Sequence, residues 1–258
     1  VTPYDRRIYE EELKDILPQK ILDVHTHVWL DKYLDHKPLA PGEVKRTVTW
    51  PSLVALDNSI EDLQETYRLM LPGKDVTALM FTSRGAWDKN NAYVAECSRR
   101  TGFPALYYSR PEQSPEELEQ EIRKGGFLGL KSYLSLSPKY LPEAEIRIFD
   151  FFPKAQLKKM DEMGAIVMLH IPRNGRLKDP VNLAQIMEIK QEFPNIRLII
   201  AHIGRAYTRE DVGNAFETLD KAPDLMYDIS ATCSEYANTE VLRHAGPKHV
   251  MSGPDKPL

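Results

Sequence analysis

Eight short apolar runs recur along this chain of 258 residues, and they constrain the fold more than any other feature. Every run except the last is followed by a polar or amphipathic stretch. The runs begin at Ile21, Val76, Pro104, Phe127, Ala165, Arg197, Leu225 and His249. Short, nearly continuous apolar runs are typical of strands that are buried on both faces, as parallel strands covered by helices are.

The stretches between the runs have helical patterning. Ser59 and Asp62 resemble a capping box, and Ser114 followed by Pro115 has the composition of a helix start. An extra helix is predicted over residues 4–17, where it would cover the bottom of a barrel. The other predicted helices span residues 90–100, 150–163, 179–193, 208–219 and 234–245.

The spacing of the runs distinguishes between two α/β folds. After the first interval, successive runs start about 29 residues apart on average, which is close to one βα unit. Eight strands with intervening helices predict a (β/α)8 TIM barrel, built as a single domain over residues 1–258. A doubly wound open sheet is the alternative. It is disfavoured because no Gly-rich phosphate-binding fingerprint follows a strand.

Two irregularities interrupt the repeat. Residues 30–58 form a long insertion after the first strand, and in a barrel they would lie over the active-site face. The sequence also stops just after the eighth strand, so that an eighth helix is missing. We therefore expect a truncated or disordered C-terminus.

Composition narrows the class of protein. Lys and Arg number 34 against 38 Asp and Glu, for a net charge of −4, which disfavours nucleic-acid binding. No apolar run is long enough to span a bilayer, and the first residues lack the apolar core of a signal peptide. The two cysteines, Cys97 and Cys233, form no CxxC pair. We expect a cytoplasmic protein without membrane or nucleic-acid partners.

Histidines cluster at the ends of the predicted strands. A spacing of two places the imidazoles of His25 and His27 on the same side of the first strand. His170 and His202 end the fifth and sixth strands, and Asp255 ends the eighth. In a barrel, these positions meet at one face.

A pair of histidines spaced by two is weak evidence alone, since both are often structural residues with satisfied hydrogen bonds. Three further polar residues at the same structural level favour a metal site instead. Imidazoles with a carboxylate suit Zn2+ best among the common metals, with Mn2+, Fe2+ and Co2+ as alternatives. The sequence therefore predicts one divalent ion.

Five motifs in order resemble the amidohydrolase superfamily over nearly the whole chain, from about residue 21 onward. The nearest branch is the amidohydrolase 2 group, which includes hydrolases and decarboxylases of the aminocarboxymuconate-semialdehyde type. The motifs are specific to the superfamily but not to a substrate. They are Asp23-Val24-His25-Thr26-His27, Gly129-Leu130-Lys131, Met168-Leu169-His170, Ala201-His202-Ile203-Gly204-Arg205 and Ser252-Gly253-Pro254-Asp255.

The resemblance implies a role for each matching residue. His202 matches a histidine that polarises substrate or helps to activate water, and that binds a second metal in binuclear relatives. Lys131 matches a position that is carboxylated in some branches. Pro254 departs from the usual Ser or Thr, which affects the geometry expected for Asp255. The implied metal ligands are His25, His27, His170 and Asp255.

Three basic residues are candidate substrate contacts. Lys131 is either carboxylated or a plain contact to a substrate carboxylate. Arg173 and Arg205 each lie three positions after a strand-end histidine. They are either grips on a substrate carboxylate or members of surface ion pairs. Asp23, two positions before His25, is expected to orient a metal ligand rather than to bind the metal.

The primary functional hypothesis is a metal-dependent hydrolase acting on an ester, lactone or amide of a small carboxylic acid. Metal-activated water would attack, with Asp255 and His202 as the catalytic residues. The first alternative is non-oxidative decarboxylation of an aromatic or muconate-like acid on the same site. The second is a degenerate barrel without catalysis. A TatD-like nuclease is disfavoured because it requires Glu where this chain has Lys131. Homo-oligomerisation is left open.

Overall fold

The computed structural model describes residues 1–34, 55–82, 86–253 and 255. Within these residues, all eight predicted apolar runs contain strands. The strands are β1 (Lys20–His27), β2 (Asp75–Phe81), β3 (Tyr107–Tyr108), β4 (Gly129–Lys131), β5 (Ile166–Leu169), β6 (Arg197–Ile200), β7 (Met226–Asp228) and β8 (Val250–Met251). Each run is therefore correctly identified from its apolar composition.

The strands close into a barrel. β1 pairs with β2, and β3 to β8 pair in chain order, all in parallel. A bridge between Met80 and Ala105 joins β2 to the segment before β3. The Val24 N–H donates to the carbonyl oxygen of Ser252 at 3.2 Å, which joins β1 to the residues after β8. This closed ring confirms the (β/α)8 prediction and excludes the doubly wound open sheet.

Helices connect successive strands largely where they are predicted. Ser59 and Asp62 form a reciprocal capping box, and the Ser114 hydroxyl accepts the Glu117 N–H. The predicted helix 208–219 is divided into two short helices at Gly213, where φ is +50°. The helices are α1 (Pro3–Ile8), α2 (Ile60–Met70), α3 (Trp87–Thr101), α4 (Pro115–Gly125), α5 (Lys154–Met163), α6 (Pro180–Glu192), α7 (Arg209–Val212), α8 (Phe216–Leu219) and α9 (Glu235–Ala245).

The N-terminal helix packs at the amino end of the barrel, as predicted. Helix α1 continues into a π-helical turn, Tyr9–Leu13. The Tyr9 hydroxyl donates to the Pro72 carbonyl oxygen at 2.6 Å, and Lys74 Nζ donates to the Leu17 carbonyl oxygen at 2.8 Å. Because residues 72–74 lead into β2, these contacts fix the helix below the barrel.

The two ends of the predicted insertion lie side by side. Trp29 and Asn58 exchange backbone hydrogen bonds of 3.0 and 3.1 Å. Residues 35–54, and so most of the predicted insertion 30–58, lie outside the described residues. In the described part of the chain, no helix follows β8, and none of the helices combines the length and apolar character needed to cross a bilayer.

Two apolar layers are separated by the wall of the barrel. The larger lies between the strands and the surrounding helices, and the smaller fills the interior. On β5, Met168 faces the interior while Val167 and Leu169 face the helices, as the two-residue period of a strand requires. The fully buried interior residues are Phe81, Leu106, Met168 and Ala201.

We expect Gly129→Ala to destabilise the barrel strongly. A Cβ at this position would lie 1.9 Å from the carbonyl oxygen of Ile166 on the neighbouring strand, and backbone atoms cannot move aside easily. Urea unfolding should show a loss of about 3 kcal/mol, at the upper end of overpacking costs. The control is Gly73→Ala, where a Cβ meets open space but φ is +83°, which should cost about 1 kcal/mol. Equal losses in the two variants would contradict the close approach of β4 and β5.

Candidate metal centre

The alternation along the strands places polar side chains above the interior apolar layer. Ile166 and Met168 of β5 face the interior, and His170 follows two positions later. Met226 of β7 faces the interior, and Asp228 follows in the same way. Since these positions lie at the carboxyl ends of parallel strands, they converge on one end of the barrel. The buried polar residues at this end include His25, His27, Lys131, His202, Asp228 and Asp255.

Asp255 lies between the two histidines of β1. Its Oδ1 atom is 3.4 Å from Nε2 of His25 and 3.4 Å from Nε2 of His27. This oxygen is buried and has no hydrogen-bond partner among the described residues. Burial opposes ionisation of Asp255, but the neighbouring imidazoles outweigh it and lower the pKa of the carboxyl. Burial lowers the pKa of His27 to about 4 and that of His25 well below its usual value, because it favours the neutral form of each imidazole.

These three side chains fit a divalent ion. Nitrogen and oxygen ligands bound at about 2.0–2.1 Å in a tetrahedral arrangement lie roughly 3.4 Å apart, which matches the distances around Asp255 Oδ1. Neutral imidazoles and an ionised carboxylate are also the protonation states that metal ligands need. His25, His27 and Asp255 form one of two groups of potential metal donors in the described residues; the other is His25, His202 and Asp228.

Asp228 is a site residue that the sequence analysis missed. Its Oδ2 atom lies 2.5 Å from Nδ1 of His25, and its side chain is fully buried. A carboxylate on the far nitrogen of a metal-binding histidine orients the ring and increases its basicity. Asp228 ends the seventh apolar run just as His170 ends the fifth, so its position in the sequence was a usable signal.

Lys131 lies within the cluster of predicted metal ligands. Its Nζ atom is 2.7 Å from Nε2 of His25, 4.0 Å from the centre of the Phe81 ring and 5.0 Å from that of Tyr133. Burial lowers the pKa of Lys131 to about 7, although Asp255 and Asp228 act against this shift. An ion bound by His25 would replace the Lys131 contact at Nε2. Carboxylation and substrate binding by Lys131 both stay predictions.

His202 opens an unusual backbone turn after β6. Four consecutive residues, His202 to Arg205, have φ between +46° and +60°, and only Gly204 adopts this region without steric cost. The His202 Nδ1 atom lies 2.9 Å from the carbonyl oxygen of Ser230 and 3.0 Å from its Oγ. Since a carbonyl oxygen only accepts, Nδ1 donates to it and carries a proton, which leaves Nε2 as the ring nitrogen not engaged by Ser230.

His170 lies beside this cluster but belongs to neither group of potential metal donors. Its ring centroid is 5.4 Å from that of His202 and 6.0 Å from that of Tyr133. Burial lowers the pKa of His170 well below its usual value, and its Nδ1 atom is buried without a hydrogen bond in the described structure. The role of His170 as a metal ligand stays a prediction.

Both candidate arginines have partners within the protein. Arg173 Nε donates to Asp179 Oδ1 at 3.0 Å, and the same oxygen accepts N–H groups in the first turn of α6. Arg205 Nη1 donates to the Pro172 carbonyl oxygen at 3.0 Å. Their binding of a substrate carboxylate stays a prediction.

Asp23 contacts the backbone of β1 next to the site, and its role in orienting a metal ligand stays a prediction. It accepts the His25 N–H at 3.0 Å and the Tyr67 hydroxyl at 2.6 Å. Burial raises the pKa of Asp23 to about 6. Gly253 packs closely here, because a Cβ at this position would lie 2.5 Å from Asp23 Oδ1.

Comparison with known proteins identifies the family and supports the barrel fold. A family model described as Amidohydrolase matches residues 22–255. No curated protein matches the sequence significantly.

Solved structures with the same fold cover nearly the whole chain at low identity. A 2,6-dihydroxybenzoate decarboxylase complexed with 2,6-dihydroxybenzoate has a TM-score of 0.60 at 14% identity, covering 93% of this chain and 88% of that one. A putative amidohydrolase from Staphylococcus aureus has a TM-score of 0.60 at 13% identity, covering 92% and 88%. A dihydroxybenzoic acid decarboxylase from Polaromonas sp. JS666, with manganese and 2-nitroresorcinol bound, has a TM-score of 0.55 at 13% identity, covering 93% and 86%.

We expect the double variant His25→Ala, His27→Ala to lose its metal while the barrel stays folded. The purified wild-type protein should carry about one divalent ion per chain, measured by elemental analysis. Removing two of the predicted ligands should leave almost none, with the far-ultraviolet circular dichroism unchanged. The control is His244→Ala, on the surface at the end of α9, which should retain the ion. Stoichiometric metal in the double variant would contradict the ligand assignment, and about two ions in the wild type would favour a binuclear site with carboxylated Lys131.

Proposed function

The chain belongs to the amidohydrolase 2 family, and on that basis we propose that it is a metal-dependent, non-oxidative decarboxylase of an aromatic carboxylic acid. The proposal differs from the primary hypothesis of the sequence analysis, which was hydrolysis of an ester, lactone or amide. It adopts instead the first alternative on the same site.

The surroundings of Lys131 carry the proposal. The fully buried amino group of Lys131, whose pKa is about 7, lies beside the predicted metal ligands and on the faces of Phe81 and Tyr133. Tyr133 also approaches the rings of His27 and Tyr108, at 6.4 and 5.6 Å between centroids. A cation surrounded by aromatic faces suits a flat, anionic ligand, since the charge attracts the carboxylate and the rings pack against an aromatic body.

Two of the structurally similar proteins add independent support. One holds 2,6-dihydroxybenzoate, and another holds manganese with 2-nitroresorcinol, a flat ring with polar substituents. Both are named as decarboxylases of dihydroxybenzoic acids. At 13–14% identity they support the reaction class rather than a particular substrate.

The metal would be held by His25, His27 and Asp255, with His170 as the fourth predicted ligand. When bound, a single divalent ion, Zn2+ or Mn2+, supplies a Lewis acid that binds and polarises substrate oxygen atoms. With a pKa of about 7, Lys131 is charged in part of the molecules at neutral pH, and an anionic substrate would favour its charged form. The Phe81 ring, 4.7 Å from the His27 ring centroid, excludes water from this side.

His202 is the residue proposed to move the proton. Decarboxylation breaks the bond between the ring carbon and the carboxylate, CO2 leaves, and the electron pair stays on the carbon, which then needs a proton. Because Nδ1 of His202 donates to the Ser230 carbonyl oxygen, Nε2 is the atom that would first take up a proton from solvent and then deliver it to the ring carbon.

A product assay distinguishes the proposal from its alternatives. The metal-loaded protein is incubated with a panel of hydroxybenzoic acids and, separately, with aryl esters and lactones. Release of CO2 and formation of the corresponding phenol are expected from at least one acid. Acid release from an ester or lactone, with no CO2 from the panel, would instead favour hydrolysis. Inactivity towards every compound by a protein with full metal occupancy would favour the degenerate barrel.

We expect His202→Asn to lose turnover while it retains metal. The variant removes the proposed proton donor but none of the predicted ligands, so that kcat should fall by on the order of 10²–10⁴-fold. His170→Ala should lose both metal and activity if the predicted ligand role is correct. His244→Asn serves as a control with unchanged kcat. Release of metal by His202→Asn as easily as by His170→Ala would make His202 a ligand and favour the binuclear scheme.

A further inference from the structure

The carboxylate of Asp228 contacts His25 directly and is linked through Ser230 to His202; the two histidines have different predicted roles. Asp228 Oδ2 lies 2.5 Å from Nδ1 of His25 and 2.7 Å from the hydroxyl of Ser230. That same hydroxyl lies 3.0 Å from Nδ1 of His202. The rings of His25 and His202 lie side by side, with 4.5 Å between their centroids. The three contacts therefore form a continuous chain beneath both rings.

The direction of each hydrogen bond in this chain follows from its acceptors. A carboxylate oxygen accepts, so Nδ1 of His25 and the Ser230 hydroxyl both donate to Asp228 Oδ2. The Ser230 carbonyl oxygen also only accepts, so Nδ1 of His202 donates to it at 2.9 Å. With its own proton directed at Asp228, the Ser230 Oγ atom is left as a second acceptor for His202. Both imidazoles thus carry hydrogen on Nδ1, and Nε2 is the nitrogen that each ring directs away from these contacts; in His25 this atom contacts Lys131 Nζ at 2.7 Å.

The hydrogen-bond chain from His25 through Asp228 and Ser230 to His202 is buried, and further hydrogen bonds fix its members. Asp228 is fully buried and Ser230 is 1% exposed, so no water competes for these contacts. Asp228 Oδ1 accepts the Ser230 N–H at 2.7 Å, and the Thr232 hydroxyl donates to the Ser230 carbonyl oxygen at 3.2 Å. In surroundings of low dielectric constant, polar contacts of this kind are strong and fix a single arrangement.

We propose that Asp228 and Ser230 are positioning residues which fix the tautomer of both histidines, Asp228 acting directly on His25 and through Ser230 on His202. The result is that Nε2 of His25 is directed to the metal and Nε2 of His202 to the substrate. The inference rests on the proposed function for the role of His202. The tautomers themselves are set by the fold whatever the reaction is.

Histidine-selective 15N NMR tests the tautomers directly. The chain has seven histidines, so the ring signals of the Zn2+-loaded protein are few, and single His→Ala variants assign them. His25 and His202 should both show a protonated Nδ1 and an unprotonated Nε2. A protonated Nε2 on either ring would overturn the proposal. The measurement needs no substrate, so the absence of any decarboxylase activity would defeat the proposed function without touching this result.

Two variants test separately the contact of Asp228 with His25 and the contact of Ser230 with His202. Ser230→Ala should shift the His202 ring signals and lower kcat by about tenfold, with KM and Zn2+ affinity unchanged. The loss is limited because the backbone carbonyl oxygen at position 230 still accepts from Nδ1. Asp228→Asn should weaken Zn2+ binding by about 10–100-fold in competition with a chelator, the usual effect of losing an orienting carboxylate. The matched control is Asp224→Asn, an exposed aspartate paired with Lys190, which should change neither quantity.

Three outcomes with these variants would also overturn the proposal. Unchanged His202 signals and kcat in Ser230→Ala would show that the serine only shapes the turn after β7. Unchanged Zn2+ affinity in Asp228→Asn would show that the carboxylate does not orient His25. Complete loss of Zn2+, equal to that of the His25→Ala, His27→Ala variant, would make Asp228 a metal ligand instead. If Asp228→Asn fails to fold, the wild-type spectrum and Ser230→Ala still decide the question.

Discussion

The contacts of the His25 ring hold the rest of the site in place. One ring nitrogen contacts Asp228, and the other contacts Lys131 and faces Asp255. All four side chains are almost completely buried, where an unpaired charge would be very costly. The charges are tolerated because each lies against an opposite charge, a neutral imidazole or an aromatic face. Removal of one partner would leave another buried charge uncompensated, which is usually strongly destabilising.

Backbone strain is concentrated where the chemistry is proposed. The left-handed turn at His202 includes three residues other than glycine, each at a cost of about 1–2 kcal/mol. Close packing holds the turn, since a Cβ on Gly204 would lie 2.7 Å from Leu177 and 2.9 Å from Ile171. Asp255 also has a positive φ, of +52°. His202 and Asp255 are both buried polar residues at the carboxyl end of the barrel, so these positive φ values lie at the predicted site.

The same residues are compatible with either hydrolysis or decarboxylation, and their surroundings favour one of them. A hydrolase needs a water molecule placed to attack, whereas a decarboxylase needs a dry site that accepts an anion and returns a proton to carbon. Lys131, Phe81 and Tyr133 provide positive charge and aromatic faces next to the predicted ligands. The second reaction is therefore the better match to this site.

The sequence alone determined the barrel and most of its polar end. Apolar runs of strand length are a local property, and strand ends follow from them, so the sequence predicts that His25, His27, His170, His202 and Asp255 meet at one end of the barrel. The sequence alone could not show which side chains far apart in the chain contact each other. Asp228 and His25 are separated by 203 positions, and only closure of the ring between β8 and β1 brings β7 close to β1. The left-handed turn at His202 and the position of Lys131 among the ligands were likewise decided by tertiary packing, because both depend on which side chains surround them.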